Sequence, residues 1–304
     1  MERRRRFGNS PLEVSAISLG CWIFGVDWWG HYTQEDCDRI CSFSLDQGVT
    51  FFDNGDAYGN GRAETLFGNW MKAARIDRSK VEIGSKFGYD FYSDPGEAGS
   101  HRERKQDFSP SFMRSSLEKS LARLQTDYVD LYMAHNIKLP QFRDDLFAEL
   151  TKLKDEGKIK CWGVSLGPAI GWREEGTKAM LDHDAKAVQT VFNLFEQDPG
   201  REFCQVAKAA RAGVLARVHD NSSILKDVVK IDTTLAANDH RKFRDQPPGP
   251  TMGSYDYVAF DYLELNGDAM PSPVPEPGTL TLLGGGLAAL VARRRKKRLA
   301  RNAR

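Results

Sequence analysis

Four ionisable side chains stand where three short apolar runs end. Asp53 closes Thr50-Phe51-Phe52 and leads into Asn54-Gly55-Asp56-Ala57-Tyr58-Gly59-Asn60-Gly61; Lys86 closes Val81-Glu82-Ile83-Gly84-Ser85; His135 closes the run from Val129 to Ala134. If these runs are parallel strands, their C-terminal ends bring an aspartate, a tyrosine, a lysine and a histidine to one mouth. A lysine ammonium beside a phenol favours phenolate and lowers its pKa, and a carboxylate holds that ammonium in place. A tyrosine tuned in this way can give a proton to a carbonyl oxygen as hydride arrives at the carbon, while histidine orients the carbonyl or relays the proton. Taken singly, Asp53 serves equally well as a helix cap, Lys86 as a solvated strand end and His135 as a core histidine. The reading rests on all four together.

The elements that must position them alternate. Apolar or β-branched runs begin near Ile17, Thr50, Val81, Val129, Cys161, Ala187 and Val214, which makes seven candidate strands. Between two of them, Met113, Leu117, Leu121 and Leu124 recur at helical spacing behind Ser109-Pro110, an N-cap followed by proline in the first turn. Phe142, Leu146, Leu150 and Leu153 repeat the pattern and stop at Gly157. Strand-helix alternation implies right-handed crossovers and a parallel sheet covered by helices. Open doubly wound sheets and closed barrels both satisfy it. The number of units and the absence of a glycine-rich turn after the first strand favour an α/β fold of the (β/α)8 TIM-barrel type, with a short hairpin around Gly8-Asn9 covering its bottom.

Composition narrows the function classes. The 304 residues are 40% hydrophobic and 28% charged, which excludes a disordered polymer, a collagen-like fibre and a polytopic membrane protein. The net charge of +1 conceals an asymmetry: Arg293 to Arg304 carries eight basic groups and no acid, leaving −7 for the rest. A mildly acidic body with a basic end does not fit a nucleic-acid binder. The scattered cysteines Cys21, Cys37, Cys41, Cys161 and Cys204 read as reduced thiols in a cytoplasm, no motif has metal-ligand spacing, and the N-terminus has no apolar region typical of a signal peptide.

With those residues in place, the chain resembles the aldo-keto reductase superfamily over about residues 5–245. The resemblance is carried by Asp53, Tyr58, Gly59, Gly61 and Glu64 in one segment, by Lys86 and His135, by Gly163-Val164-Ser165, and by Gln189 with Asn193. It implies a TIM-type barrel, NADPH (or NADH) bound without a Rossmann fold, and reduction of aldehydes or ketones to alcohols. Carried over by position, Asp53, Tyr58, Lys86 and His135 fill the catalytic tetrad; Ser165 and Gln189 bind the nicotinamide carboxamide; Arg217 packs on the nicotinamide ring; Trp22, Trp28 and Trp29 line the substrate pocket. Leu166 stands where the family usually has asparagine, and His219 and Ser223 replace a proline and a glycine after the seventh strand. The alternatives are a catalytically weak cofactor-binding module and a protein that works through its tail.

After Asp245 the pattern breaks at Gln246-Pro247-Pro248-Gly249-Pro250. No counterpart follows to the family's eighth strand, last helix or phosphate-gripping residues. Tyr255–Leu265 is strand-like, but its acids suit a doubly buried strand poorly. The expected organisation is a barrel domain over 1–245, a linker over 246–273, and an irregular tail over 274–304. The tail resembles a PEP-CTERM sorting signal through Val274-Pro275-Glu276-Pro277, the uncharged stretch Thr279 to Ala292, and the basic cluster. That resemblance implies exosortase recognition and an envelope destination. The stretch is shorter than the ~20 residues of a membrane-spanning helix and suits weak membrane association instead. The two ends point to different compartments, and a fusion of unrelated reading frames accounts for that.

Overall fold

A computed structural model describes residues 4–27, 30–96, 104–167, 172–194 and 196–219. In it all seven apolar runs become strands: β3 (Ser18–Gly20), β4 (Phe51–Asp53), β5 (Glu82–Phe87), β6 (Val129–His135), β7 (Ile159–Ser165), β8 (Ala187–Val191) and β9 (Gly213–Arg217), behind an antiparallel hairpin of β1 (Arg4–Arg6) and β2 (Glu13–Ser15). β3 to β9 pair in sequence order, every neighbour parallel. One helix fills each crossover: α1 (Gln34–Asp46), α2 (Arg62–Ala73), α3 (Pro110–Leu124), α4 (Asp144–Asp155), α5 (Arg173–Asp182) and α6 (Gly200–Ala210).

The local signals act as their chemistry requires. Ser109 caps α3, its hydroxyl accepting from the Phe112 amide at 3.3 Å, and Met113, Leu117, Leu121 and Leu124 face the core. Gly157 takes a positive φ of 74° just beyond α4. One expectation is corrected: Phe142 does not belong to the helical face. It ends the 3-10 turn Leu139–Gln141, two residues before α4 begins, because Pro140 organises that turn separately.

The sheet is curled. Gln189 on β8 donates to Asp53 on β4 at 2.9 Å, although four strand spacings in a flat sheet would separate them by about 19 Å. Residues on the enclosed face, Phe51, Leu131, Met133, Cys161 and Ala187, meet Phe7, Leu12 and Val14 from the hairpin in one cluster. Phe7 sets its ring against Phe51 with centroids 6.4 Å apart. The hairpin thereby plugs the bottom, and its turn is tied to the end of α6 by the Asn9 amide, which donates to the Arg211 carbonyl at 3.0 Å. The larger cluster lies between the sheet and the helices, with Phe52, Phe67, Trp70, Leu117, Tyr132, Leu150, Val188 and Phe203 fully buried. Among the described residues no strand bridges β3 and β9. The run 255–265, the linker, the tail, Ser223 and both Trp28 and Trp29 lie outside the described residues.

Candidate functional site

Parallel strands end on one rim, so the residues closing β4, β5, β6, β7 and β8 face one another. Lys86 is fully buried, and its Nζ donates to Asp53 Oδ1 at 2.6 Å and to the Asn54 carbonyl at 2.7 Å. The Tyr58 ring centre lies 4.8 Å from Nζ. His135 sets its ring edge-on to Tyr58, centroids 6.1 Å apart, and to Tyr89, 5.0 Å apart. Trp22 also packs on Tyr58, with ring centroids 6.1 Å apart. The Tyr58 loop is held by close backbone approach. Gly59 has φ +61°, and a Cβ there would lie 2.2 Å from the Gly25 carbonyl oxygen, so glycine is required on both grounds.

The electrostatics follow from burial opposed by charge. Burial pushes the Tyr58 phenol above its ordinary value; the Lys86 ammonium acts in the opposite direction without overcoming it. The expectation that Lys86 favours phenolate thus describes its contribution, while the net direction is upward. Burial alone would lower Lys86, but the Asp53 carboxylate and the Tyr58 phenol raise it on balance, keeping the ammonium charged. His135 is pushed well below the usual imidazole range, by burial first and then by the charges of Lys86 and Arg217. It is a neutral imidazole at physiological pH, and its Nδ1 is buried without a hydrogen bond among the described residues.

Beside this group lie polar residues of the next two strands, Ser165 at the end of β7 and Gln189, paired with it, in the middle of β8. Ser165 Oγ donates to Gln189 Oε1 at 2.7 Å, and Gln189 Nε2 continues to Asp53 Oδ2 at 2.9 Å. Arg217 closes β9 and donates from Nη2 to the Leu166 carbonyl at 2.8 Å; the Leu166 side chain itself is buried in the core. Asn193 ties the loop after β8 to the end of β9, donating to the Val218 carbonyl at 3.0 Å. The structure therefore brings Asp53, Tyr58, Lys86, His135, Ser165, Gln189, Arg217 and Trp22 to one rim.

Sequence reasoning named Glu64 only as part of a pattern. It is fully buried, accepting from Ser85 Oγ at 2.5 Å and Arg123 Nε at 2.8 Å, and so fastens α2 to β5 and α3 behind the rim. Asn54 and Asp56 were missed. Both are fully buried, and among the described residues none of their side-chain oxygens and nitrogens makes a hydrogen bond of ordinary geometry. Their place between Asp53 and Tyr58 was the available signal. Tyr89 had none, since its approach to His135 depends on a turn at Gly88 with φ +132°.

The profile of the Aldo/keto reductase family matches residues 16–243. The chain belongs to that family. A Glycine max protein described as "Probable aldo-keto reductase 1" is 29% identical over 210 residues, covering 69% of this reductase-family chain; the chain in turn spans only 57% of the soybean protein's length. The solved glycerol dehydrogenase of Gluconobacter oxydans superimposes with a TM-score of 0.67 at 26% identity, over 81% of this chain and 73% of its own. A holo-form aldo-keto reductase of Bacillus halodurans, at 20% identity, shares the fold with a TM-score of 0.66 over 90% and 93% of the two chains. Residues 273–296 match the PEP-CTERM protein-sorting motif. Among the described residues no helix is long and apolar enough to cross a membrane.

Proposed function

We propose that this aldo/keto reductase family member reduces aldehyde or ketone carbonyls to alcohols with NADPH, or with NADH in its place. The carrying observation is the convergence of Asp53, Lys86, Tyr58 and His135, with Lys86 Nζ 2.6 Å from Asp53 and 4.8 Å from the Tyr58 ring centre. The donor set fits the nicotinamide end of such a cofactor. Ser165 and Gln189 offer hydroxyl and amide groups suited to a carboxamide. When bound, the reduced nicotinamide supplies hydride.

The chain's own residues supply the rest. Tyr58, kept protonated by its raised pKa, gives its proton to the carbonyl oxygen; Lys86 stabilises the phenolate left behind, and Asp53 keeps Lys86 in reach and charged. Neutral His135 donates a hydrogen bond that orients the carbonyl. Trp22, against Tyr58, forms one wall of the substrate pocket. In this reading residues 1–245 are the catalytic unit, 246–273 a linker, and 274–304 a sorting tail whose recognition by an exosortase decides the compartment. Tyr58→Phe tests the assignment: carbonyl reduction should fall about 10²- to 10⁴-fold while NADPH affinity is kept. Equal losses of turnover and cofactor affinity would refute it.

A further inference from the structure

The Gln189 amide is held at both ends. Asp53 can only accept, so Nε2 must be the atom that faces it, and Oε1 is thereby turned to the Ser165 hydroxyl, at 2.9 and 2.7 Å. Gln189 is 4% exposed, in a rim where β4, β7 and β8 converge, and its bonds to Asp53 and Ser165 leave one N–H and one lone pair unspent among the described residues. Those two are the complement of a primary carboxamide. Asp53 Oδ1 meanwhile holds Lys86. One carboxylate therefore serves two elements of the site.

We propose that Asp53 is the positioning residue for cofactor recognition: through Oδ2 it sets which way the Gln189 amide points, so that Gln189 meets the nicotinamide carboxamide with its donor and acceptor already in place. The inference rests on the nicotinamide-dependent function proposed above. It assigns to Asp53 an effect on cofactor affinity separate from its pairing with Lys86. Replacing Asp53 with asparagine keeps its volume but reverses the network. The side-chain oxygen of the asparagine would go to Lys86 and its NH2 would face Gln189, so the Gln189 amide would turn over, present Oε1 to the new donor, and give Nε2 to the Ser165 oxygen.

The test is a double-mutant cycle on NADPH affinity, read by calorimetry with the full chain: unaltered, Asp53→Asn, Gln189→Met, and both together. In the unaltered background Gln189→Met should weaken binding about tenfold, the equivalent of one hydrogen bond. In the Asp53→Asn background it should change binding by less than about twofold, because the amide already points the wrong way. Equal factors in both backgrounds, or a larger loss in the Asp53→Asn background, overturn the inference and leave the proposed function standing. Absence of NADPH binding by the unaltered chain overturns both. Should Asp53→Asn not fold, the Gln189 side-chain NH2 signals of the ¹⁵N-labelled unaltered chain decide, identified by their loss in Gln189→Met. One proton should keep its shift on NADPH addition, as expected of the bond to Asp53, while the other moves. Movement of both, or of neither, overturns the inference.

Discussion

Replacing Asp56 with asparagine should stabilise the folded chain at neutral pH, and by an amount that grows with pH. Asp56 is fully buried, and among the described residues neither carboxyl oxygen makes a hydrogen bond of ordinary geometry. Burial pushes its pKa well up, and the Glu64 carboxylate pushes it further; Arg123, the nearby Ala57 N–H and Lys86 offset only part of this. The unfolded chain loses this proton near the ordinary aspartate value of about 3.9, whereas the folded chain keeps it to a higher pH. Between those two values the folded state binds more protons, so stability falls as pH rises, by about 1.4 kcal/mol per pH unit. Asparagine has the same shape and no proton to lose, so it removes this contribution alone. Urea unfolding followed by tryptophan fluorescence, at pH steps from about 4 upward, gives the difference between variant and unaltered chain. That difference should be near zero at the acid end, rise with pH, and level off once the folded-state pKa is passed. A pH-independent difference, or a variant that loses stability as pH rises, would mean that Asp56 is ionised in the folded chain and paired with Arg123, and the reasoning from burial would be wrong.

Two further expectations rest on this geometry and a third on the sequence of the tail. Arg123→Met leaves the buried Glu64 carboxylate with Ser85 as its hydrogen-bond partner and should cost about 3–5 kcal/mol of stability in urea unfolding; a loss under about 1 kcal/mol would show that the pair is dispensable. Because Tyr58 is raised above its ordinary 10.0 and His135 is driven well below 6.5, the rate of carbonyl reduction should be level through neutral pH and decline only in strong alkali as Tyr58 loses its proton, and a break near pH 6.5 would mean that His135 titrates. Removal of residues 271–304 should raise solubility and leave NADPH affinity unchanged, whereas lost affinity or unfolding would make the tail an integral part of the reductase unit.

What could be read from the residues was local. Apolar runs of strand length, the Ser109-Pro110 start and Gly157 stop, and the spacing of Met113, Leu117, Leu121 and Leu124 each report on contacts within a few residues, and all seven strands and α3 stand where those signals put them. The rim residues were legible for the same reason, since parallel strands end on one side and the type of residue closing each run is visible in the chain. Phe142 shows the limit of periodicity, because a turn organised by Pro140 interrupts a spacing that fits a helix. The curl of the sheet was beyond local signals. Only it brings Gln189 within 2.9 Å of Asp53, 136 residues away, and only the packing of α2 against α3 and β5 decides that Glu64 finds Arg123 and Ser85 while Asp56, eight residues earlier, makes no hydrogen bond of ordinary geometry. Residue types and spacing determine which groups reach the rim; which atoms they bond, and what those bonds do to each proton, depends on burial and on contacts between strands far apart in sequence.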